Sequence, residues 1–438
     1  MGLSCFSHPT HASATNTSKN TSVSDRRFAR GLTMPDLFVN QLHDAFGTWP
    51  IAYIPYGGAD FGEIRAVATA VGEGDDSAFY DAWNAAADRM VNEAEAALAR
   101  HHKDSARELV LRASVFYAAS YHPLYGKPVD DRLLEAFRKQ SNAMARGFSL
   151  FNESISSKRI PFEQTGMPGY LIPAVGHETE VRPLIILTNG YDGTMTDMYF
   201  ASAVAATRRG YHCLLFDGPG QGGMLYEQGI YLRPNWETVI AAVVDFALGQ
   251  HIVDGRKIAL HGWSLGGFLA PRAASGKHRI AALISDPGTW SIADGFREFV
   301  IHNLKVPREE AIDLGHLDDR VLARMDAIVR NDPGLKWKVI QRGFWVHGVD
   351  NLRDYLSSAE QFTMKGYAGR IKCPTLLTMA ENDSLGSSAP SFYDALKCKK
   401  AILRFTAAEG ADGHCEMHNR SLVNRRTLDW LDEIFDRR

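Results

Sequence analysis

The chain has 438 residues, of which 45% are hydrophobic and 23% are charged, and its formal net charge is −3. This is the composition of a globular protein with a sizeable core, and the lack of a long basic run argues against a nucleic-acid partner. The five cysteines are odd in number and widely spaced, which argues against a disulfide framework and favours a reducing compartment. The sequence contains no run of about 18 apolar residues, so it predicts no membrane-spanning helix. It also lacks the apolar stretch of a secretory signal near residue 1, and we therefore expect a cytoplasmic protein.

The first part of the chain changes from a polar segment to a helical one. Residues 1–34 are rich in Ser, Thr, Asn and His without periodic apolar positions, so we predict that they do not fold. Residues 35–155 are predicted to form an N-terminal helical domain, because apolar residues such as Phe79, Trp83 and Met90 recur at helical spacing. Further patterns of this period lie at residues 106–120 and about 130–148.

At Arg159 the apolar period changes to that of strands. Residues 159–162 and 169–174 read as two strands joined by a turn at Gly166, and strands then alternate with helices. The predicted later strands cover 184–187, 213–216, 257–260, 280–284, 375–378 and 401–405, and the predicted helices cover 197–207, 238–247 and 421–435. Such alternation predicts an α/β fold with a mainly parallel sheet, whose site lies at the carboxyl ends of the strands.

One strand end carries a nucleophile motif. The predicted strand 257–260 runs into Gly262-Trp263-Ser264-Leu265-Gly266, which is followed by a helix-compatible run. A tight strand-to-helix turn exposes a serine hydroxyl, and glycines on either side let the strand and helix approach closely. Since the hydroxyl is a weak nucleophile, Ser264 also needs a base. The alternative is an ordinary glycine-rich turn.

Two other strand ends offer the acid and the base. Asp383 follows the strand 375–378, where a carboxylate can hold a histidine in the required tautomer; Glu381 and Asp286 compete for this role. His414 lies in a glycine-flanked loop beyond the last strand and is preferred as base over His418. A metal site made of His414, Glu416 and His418 is conceivable by residue type, but its spacing matches no zinc pattern.

An oxyanion site needs two backbone N–H groups near the nucleophile. We predict the N–H of Leu265, which follows the nucleophile, and that of Tyr191, in the glycine-containing loop after the strand 184–187. The alternative for the second position is a plain turn.

The 119 residues between Ser264 and Asp383 (383 − 264) exceed what a strand and a helix need. We therefore predict a helical cap inserted at about 287–368, above the sheet ends, where it excludes water and shapes substrate choice. Candidate pocket residues are Trp263, Trp290, Trp345 and His347, with plain packing as the competing interpretation.

With these residues in place, the chain resembles the α/β-hydrolases that carry an N-terminal helical domain, among them 2,6-dihydroxypseudooxynicotine hydrolase and the fungal polyketide-shortening hydrolases of pigment pathways. The resemblance extends over about residues 35–436. It implies an α/β-hydrolase domain over 156–438 and the roles of nucleophile, acid and base for Ser264, Asp383 and His414. The stretches that carry it are Asn189-Gly190-Tyr191-Asp192-Gly193, Phe216-Asp217-Gly218-Pro219-Gly220-Gln221-Gly222, Gly262-Trp263-Ser264-Leu265-Gly266-Gly267, Asp286-Pro287-Gly288, Phe344-Trp345-Val346-His347-Gly348, Glu381-Asn382-Asp383 and Glu409-Gly410-Ala411-Asp412-Gly413-His414-Cys415.

The resemblance also implies hydrolysis of a C–C bond next to a carbonyl, in a β-diketone-like or acyl-aromatic small molecule, without a metal or an organic cofactor. It implies that the N-terminal helices and the cap together cover the pocket. Some members use a cap carboxylate, for which Glu298 and Asp294 are candidates by position. Open alternatives are a carboxylesterase or peptidase, an acyltransferase or cyclising enzyme on the same triad, and a non-catalytic binding protein. We expect no nucleic-acid or membrane partner, and a homodimer is left open.

Overall fold

A computed structural model describes residues 37–152, 155–276 and 278–436. The expectation for residues 1–34 lies outside these ranges. Within them, no helix is both long and apolar enough to cross a bilayer.

The described residues contain an eight-stranded sheet in the order β1-β2-β4-β3-β5-β6-β7-β8. β1 and β2 are antiparallel to each other, β2 is antiparallel to β4, and the remaining neighbours are parallel. This mainly parallel sheet between helices confirms the predicted fold class. The strands are β1 Ser157–Phe162, β2 Thr165–Ile172, β3 Arg182–Thr188, β4 His212–Phe216, β5 Val253–Trp263, β6 Ala282–Asp286, β7 Thr375–Ala380 and β8 Lys400–Phe405.

The first hairpin turns earlier than the glycine pattern predicts. Gly166 lies inside β2, opposite Pro161, and the chain turns between Phe162 and Thr165. Glu163 takes the left-handed conformation there, with φ +47°. The expectation of a turn at Gly166 was therefore wrong. A Cβ on Gly166 would lie 2.4 Å from the side chain of Arg159, so close packing across the hairpin is what calls for this glycine.

The N-terminal helices pack on one another and on the sheet. The side chain of Asp75 caps α3 by accepting hydrogen bonds from the next backbone N–H groups, and Phe79 and Trp83 are fully buried. Phe148 packs edge-on against Tyr170 of β2, with ring centroids 4.8 Å apart, so these helices share a core with the sheet. The helices are α1 Gln41–Gly47, α2 Phe61–Val71, α3 Asp76–Leu98, α4 Lys103–Ser120 and α5 Asp131–Ser149, with a 3-10 segment at Trp49–Tyr56.

The helices between the central strands cover the sheet. The predicted helix 197–207 is a longer helical run, because a π-helical turn at Tyr199–Ala203 joins two short α-helices. These helices are α6 Met195–Met198, α7 Val204–Arg208, α8 Gly222–Tyr226, α9 Trp236–Leu248 and α10 Gly266–Gly276.

After β6 the chain leaves the sheet in a long insertion, and the two ends of this insertion lie side by side. Ser291 and Thr363 form an antiparallel bridge, and the N–H of Met364 donates to the carbonyl of Trp290 at 2.8 Å. We call residues 291–363 the cap. Its elements are α11 Ala293–Leu304, α12 Asp319–Asn331, α13 Pro333–Leu335, a π-helical segment Lys336–Phe344, α14 Trp345–His347 and α15 Leu352–Glu360. The chain ends with α16 Ala389–Ala395 and α17 Arg420–Ile434.

Candidate active site

Ser264 stands on a strained turn between β5 and α10. Its φ is +60°, a conformation that costs a residue with a Cβ about 1–2 kcal/mol. A Cβ on Gly262 would lie 1.9 Å from the carbonyl oxygen of Gly266, so glycine is required where strand and helix cross. The N–H of Ser264 donates to the carbonyl of Asp286 at 2.7 Å, which ties the turn to β6. The turn thus has the geometry that exposes a serine hydroxyl.

The structure brings the three predicted triad residues together. The Oγ of Ser264 lies 2.9 Å from Nε2 of His414, and Nδ1 of His414 lies 2.9 Å from Oδ2 of Asp383. Asp383 is buried, and its second oxygen accepts the N–H of Leu385 at 2.9 Å. The carboxylate can therefore fix the imidazole orientation, leaving Nε2 to accept the proton of the hydroxyl.

The charges of Asp383 and His414 stabilise each other. Burial alone would raise the pKa of Asp383, but the charge and hydrogen bond of His414 and two backbone N–H groups outweigh it, so the pKa is lowered. Partial desolvation by the surrounding residues disfavours the imidazolium form of His414, yet Asp383 outweighs it, with help from Asp286 and Asp192, and raises the pKa of His414. The histidine is thus a stronger base than an isolated imidazole.

The loop after β3 lies against the nucleophile turn. We call residues 189–193 the oxyanion loop. A Cβ on Gly190 would lie 2.7 Å from the backbone nitrogen of Leu265 and 3.0 Å from Oγ of Ser264, so only glycine allows this approach. Neither the Leu265 nor the Tyr191 N–H donates a hydrogen bond to any group in the described part of the chain. Both amides are therefore available as donors beside the nucleophile.

Two competing acid and base candidates, Glu381 and His418, are not hydrogen-bonded to Ser264, His414 or Asp383. Glu381 accepts the backbone N–H of Ala407 at 3.0 Å. His418 lies in the 3-10 segment His414–Asn419, and its side chain makes no hydrogen bond to another described residue. Over the described ranges, no group of three or more His, Cys, Asp or Glu side chains has an arrangement that can hold a metal ion.

The third competitor, Asp286, is fully buried against Arg420, which the sequence did not single out. One guanidinium nitrogen of Arg420 lies 2.8 Å from Oδ2 of Asp286 and 2.7 Å from the carbonyl of Cys415. Thr378 donates to the other carboxylate oxygen at 2.8 Å. Burial alone would raise the pKa of Asp286, but the positive charge of Arg420 lowers it, so Asp286 is ionised. Its carboxylate is therefore the ion-pair partner of Arg420 and not of His414.

The side chain of Glu416 lies beside this ion pair. It is fully buried, and its nearest charged nitrogen, on Arg420, is 3.9 Å away. Burial and the negative charge of Asp286 raise the pKa of Glu416 well above the usual value, which favours its neutral form. Glu416 and Cys415 both take positive φ, +49° and +51°, in the segment that follows His414. Asp286, whose pKa is lowered, is therefore the carboxylate that pairs with Arg420 in this buried group.

The four candidate pocket residues lie in different surroundings. Trp263 packs against Trp49 of the N-terminal segment, the described residues 37–152, with ring centroids 6.0 Å apart. His347 contacts the oxyanion loop, where its Nε2 lies 2.5 Å from the hydroxyl oxygen of Tyr191. Trp345 is buried between Tyr125 and Tyr226, and Trp290 packs against Phe392. Of the four, Trp263 and His347 therefore have direct links to the elements that carry the triad and the oxyanion amides.

The two candidate cap carboxylates are engaged within α11. Asp294 pairs with Arg297 at 2.8 Å, and Glu298 pairs with His302 at 2.8 Å; both carboxylates are exposed. Neither is hydrogen-bonded to Ser264, His414 or Asp383, whereas the cap side chains Arg342, His347 and Tyr355 reach the oxyanion loop.

Comparison with known proteins agrees with this architecture. The family model described as the alpha/beta hydrolase family matches residues 185–425. The hydrolase LUC6 of Fusarium sp. is 31% identical over 87% of this chain and 93% of its own length. The 20-hydroxy-prefusarin hydrolase FUS2 of Gibberella moniliformis is 30% identical over 87% of this chain and 94% of its own. The crystal structure of 2,6-dihydroxy-pseudo-oxynicotine hydrolase, at 20% identity, superposes with a TM-score of 0.68 over 87% of this chain and 95% of its own, which shows the shared fold.

The Asp383–His414 pair predicts a shift in the pH dependence of activity. His414 must be neutral to accept a proton, so kcat/KM should rise with pH through its raised pKa. Asp383→Asn removes the charge that raises this pKa, so the acid limb should move to lower pH, while kcat falls by about 10⁴-fold. The measurement is kcat/KM for p-nitrophenyl acetate against pH, supported by an NMR titration of the His414 ring.

The control for this shift is Glu381→Gln, which removes the neighbouring exposed carboxylate and should leave the limb in place. An unchanged limb in Asp383→Asn would show that another group sets the pKa of His414.

The Asp286–Arg420 pair predicts a large effect on stability. Arg420→Met leaves the buried carboxylate of Asp286 without its cation, so the free energy of unfolding should fall by about 3–5 kcal/mol. Urea unfolding followed by circular dichroism measures this. Arg330→Met, which breaks a surface pair with Asp326, should cost less than about 1 kcal/mol.

The double variant Asp286→Asn with Arg420→Met should recover part of the loss, because it removes both the buried carboxylate charge and its cation. Equal losses in Arg420→Met and Arg330→Met would contradict the assignment.

Proposed function

The chain belongs to the alpha/beta hydrolase family, and we propose that it is a serine hydrolase that cleaves a C–C bond next to a carbonyl in a small β-diketone-like or acyl-aromatic substrate. The observation that carries the serine mechanism is the continuous chain of contacts from Oγ of Ser264 through the His414 ring to Asp383, with 2.9 Å at each step.

In the proposed reaction, Nε2 of His414 takes the proton of Ser264, and Oγ attacks the substrate carbonyl. The N–H groups of Leu265 and Tyr191 stabilise the resulting oxyanion. The C–C bond then breaks, its electron pair goes to the leaving carbon as an enolate, and His414 returns the proton to that enolate. Water, deprotonated by His414, hydrolyses the acyl-enzyme and restores Ser264, so one water is consumed for each ketone and carboxylic acid formed.

A small, partly aromatic substrate is supported by what surrounds the nucleophile. The His414 side chain keeps 44% of its surface exposed. Trp49 of the N-terminal segment packs on Trp263, next to Ser264, and Trp337 of the cap packs on Phe46 of α1. Two segments outside the sheet thus meet near the nucleophile, an arrangement that suits a small molecule better than a long peptide.

The C–C step is supported by the family resemblance, and the relative FUS2 is itself named as a hydrolase of 20-hydroxy-prefusarin. An enolate is a poorer leaving group than the alkoxide of an activated ester, so the same triad also supports ester hydrolysis as a lesser activity. The proposed enzyme acts on a free small molecule, with no nucleic-acid or membrane partner.

Ser264→Ala tests the serine mechanism. It should lower kcat by at least about 10³-fold, because the nucleophile is lost while the oxyanion donors remain. The measurement is hydrolysis of benzoylacetone, followed by chromatography of the acid and ketone products, together with labelling by a fluorophosphonate. Ser105→Ala, on the exposed surface of α4, is the matched control and should behave as wild type. Wild-type turnover in Ser264→Ala would rule the mechanism out.

A substrate comparison tests the C–C assignment. Wild-type protein should cleave benzoylacetone in a Ser264-dependent reaction, with products that contain one added water. Hydrolysis of p-nitrophenyl esters with no cleavage of any β-diketone tested would instead favour the carboxylesterase alternative, while labelling at Ser264 would still support the serine mechanism.

A further inference from the structure

The second half of the oxyanion loop is held by the cap. One guanidinium nitrogen of Arg342 lies 2.7 Å from Oδ2 of Asp192, and the guanidinium carbon lies 4.6 Å from the centre of the Tyr191 ring. The Tyr191 hydroxyl contacts Nε2 of His347 at 2.5 Å, and Nδ1 of His347 contacts Oγ of Ser358 at 2.7 Å. Cap side chains thus contact both residues at the end of the loop that carries the Tyr191 N–H.

The N-terminal segment reaches the same dipeptide. The backbone carbonyl of Asp192 lies 3.2 Å from Nε2 of His122 and accepts the hydroxyl of Tyr125 at 3.1 Å. Trp337 of the cap donates its indole N–H to the carbonyl of His122 at 2.8 Å and lies under the guanidinium of Arg342. The cap and the N-terminal segment therefore form one connected set of contacts around Asp192.

The first half of the loop is fixed differently. The side-chain amide of Gln221, in the turn after β4, donates to the carbonyls of Asn189 and Gly190 at 2.7 and 3.2 Å. The N–H of Gly190 donates to the Asn189 side chain at 2.7 Å. The sheet side alone thus fixes Asn189 and Gly190, whereas Tyr191 and Asp192 depend on partners outside the sheet.

The contact between Arg342 and Asp192 is a largely buried ion pair. Only 17% of the Arg342 side chain and 11% of the Asp192 side chain are exposed, so water screens the pair weakly. Burial opposes the charge of Arg342, but Asp192 outweighs it and raises the pKa of the guanidinium. Burial and the charge of Arg342 lower the pKa of His347 to about 3, so the imidazole is neutral and its Nε2 can accept a hydrogen bond from the Tyr191 hydroxyl.

We propose that Arg342 is a positioning residue for the oxyanion hole: by holding Tyr191 and Asp192 from the cap, it places the Tyr191 N–H beside the N–H of Leu265. This inference rests on the proposed function. The oxyanion hole is then complete only when the cap is docked, and catalysis is coupled to the cap through a residue that touches no reacting atom.

Arg342→Ala tests the coupling. A misplaced oxyanion donor weakens transition-state binding more than substrate binding, so kcat for p-nitrophenyl acetate should fall by about 100-fold while KM changes less than about threefold. The affinity for 2,2,2-trifluoroacetophenone, whose adduct with the serine carries an oxyanion, should fall in parallel. Guanidinium chloride at low millimolar concentration should restore part of kcat in Arg342→Ala.

The matched control is Arg297→Ala, which breaks a cap ion pair with Asp294 and Glu360 and has no contact with the oxyanion loop. It should leave kcat within about twofold of wild type. If both variants lower kcat equally, or if Arg342→Ala changes KM alone, the positioning role is wrong.

A second variant separates the loss of the positioning contact from a loss of folding. Arg342→Ala leaves Asp192 without its cation, whereas the double variant Asp192→Asn with Arg342→Gln leaves no buried charge unpaired. The double variant should keep wild-type thermal stability within a few degrees and still show the loss in kcat. Wild-type kcat in a folded double variant would overturn the proposal.

The result is separable from a failure of the proposed function. If the wild-type protein is labelled at Ser264 by a fluorophosphonate and Arg342→Ala retains full kcat, the inference about Arg342 fails and the serine mechanism stands. If the wild-type protein is neither labelled nor active, the proposed function itself fails.

Discussion

The site depends on one buried ion pair, between Asp286 and Arg420. The backbone carbonyl of Asp286 accepts the N–H of Ser264, and its carboxylate binds the guanidinium that also holds the carbonyl of Cys415, the residue after His414. One residue at the end of β6 thus connects the nucleophile turn to the segment that carries the base. A buried ion pair contributes little net stability over an apolar pair, but it fixes geometry, because any other arrangement leaves a buried charge without a partner.

This constraint explains why residues with strained backbone conformations lie close to the Asp286–Arg420 pair. Ser264, Cys415 and Glu416 all take positive φ, although none of them is glycine. Each such residue costs about 1–3 kcal/mol, and it persists only where surrounding contacts determine the backbone position. For Ser264 those contacts are the hydrogen bond to Asp286 and the close packing of Gly262 on Gly266. For Cys415 and Glu416 the contact is Arg420.

The sequence predicts the sheet and the proposed triad side chains because their signals are local. Each of Ser264, Asp383 and His414 follows a recognisable apolar strand, and parallel strands bring their carboxyl ends to one edge. Arg342 and Arg420 carry no comparable signal: their partners Asp192 and Asp286 lie 150 and 134 residues away, and an isolated arginine on a helix reads as a surface residue. The hairpin turn was misplaced for a related reason, since Gly166 is needed for packing against Arg159 rather than for a turn.

The two kinds of constraint divide the site between parts of the fold. Among the described residues, the proposed nucleophile, base and acid are held by hydrogen bonds to the sheet and to α17. The Tyr191–Asp192 half of the oxyanion loop is instead bonded to Arg342 in the cap and to His122 in the N-terminal segment. Variation in the cap can therefore change substrate choice without disturbing the triad, as long as an equivalent of the Arg342–Asp192 contact survives. The same arrangement makes the oxyanion hole, rather than the triad, the element that responds when a substrate alters the packing of the cap.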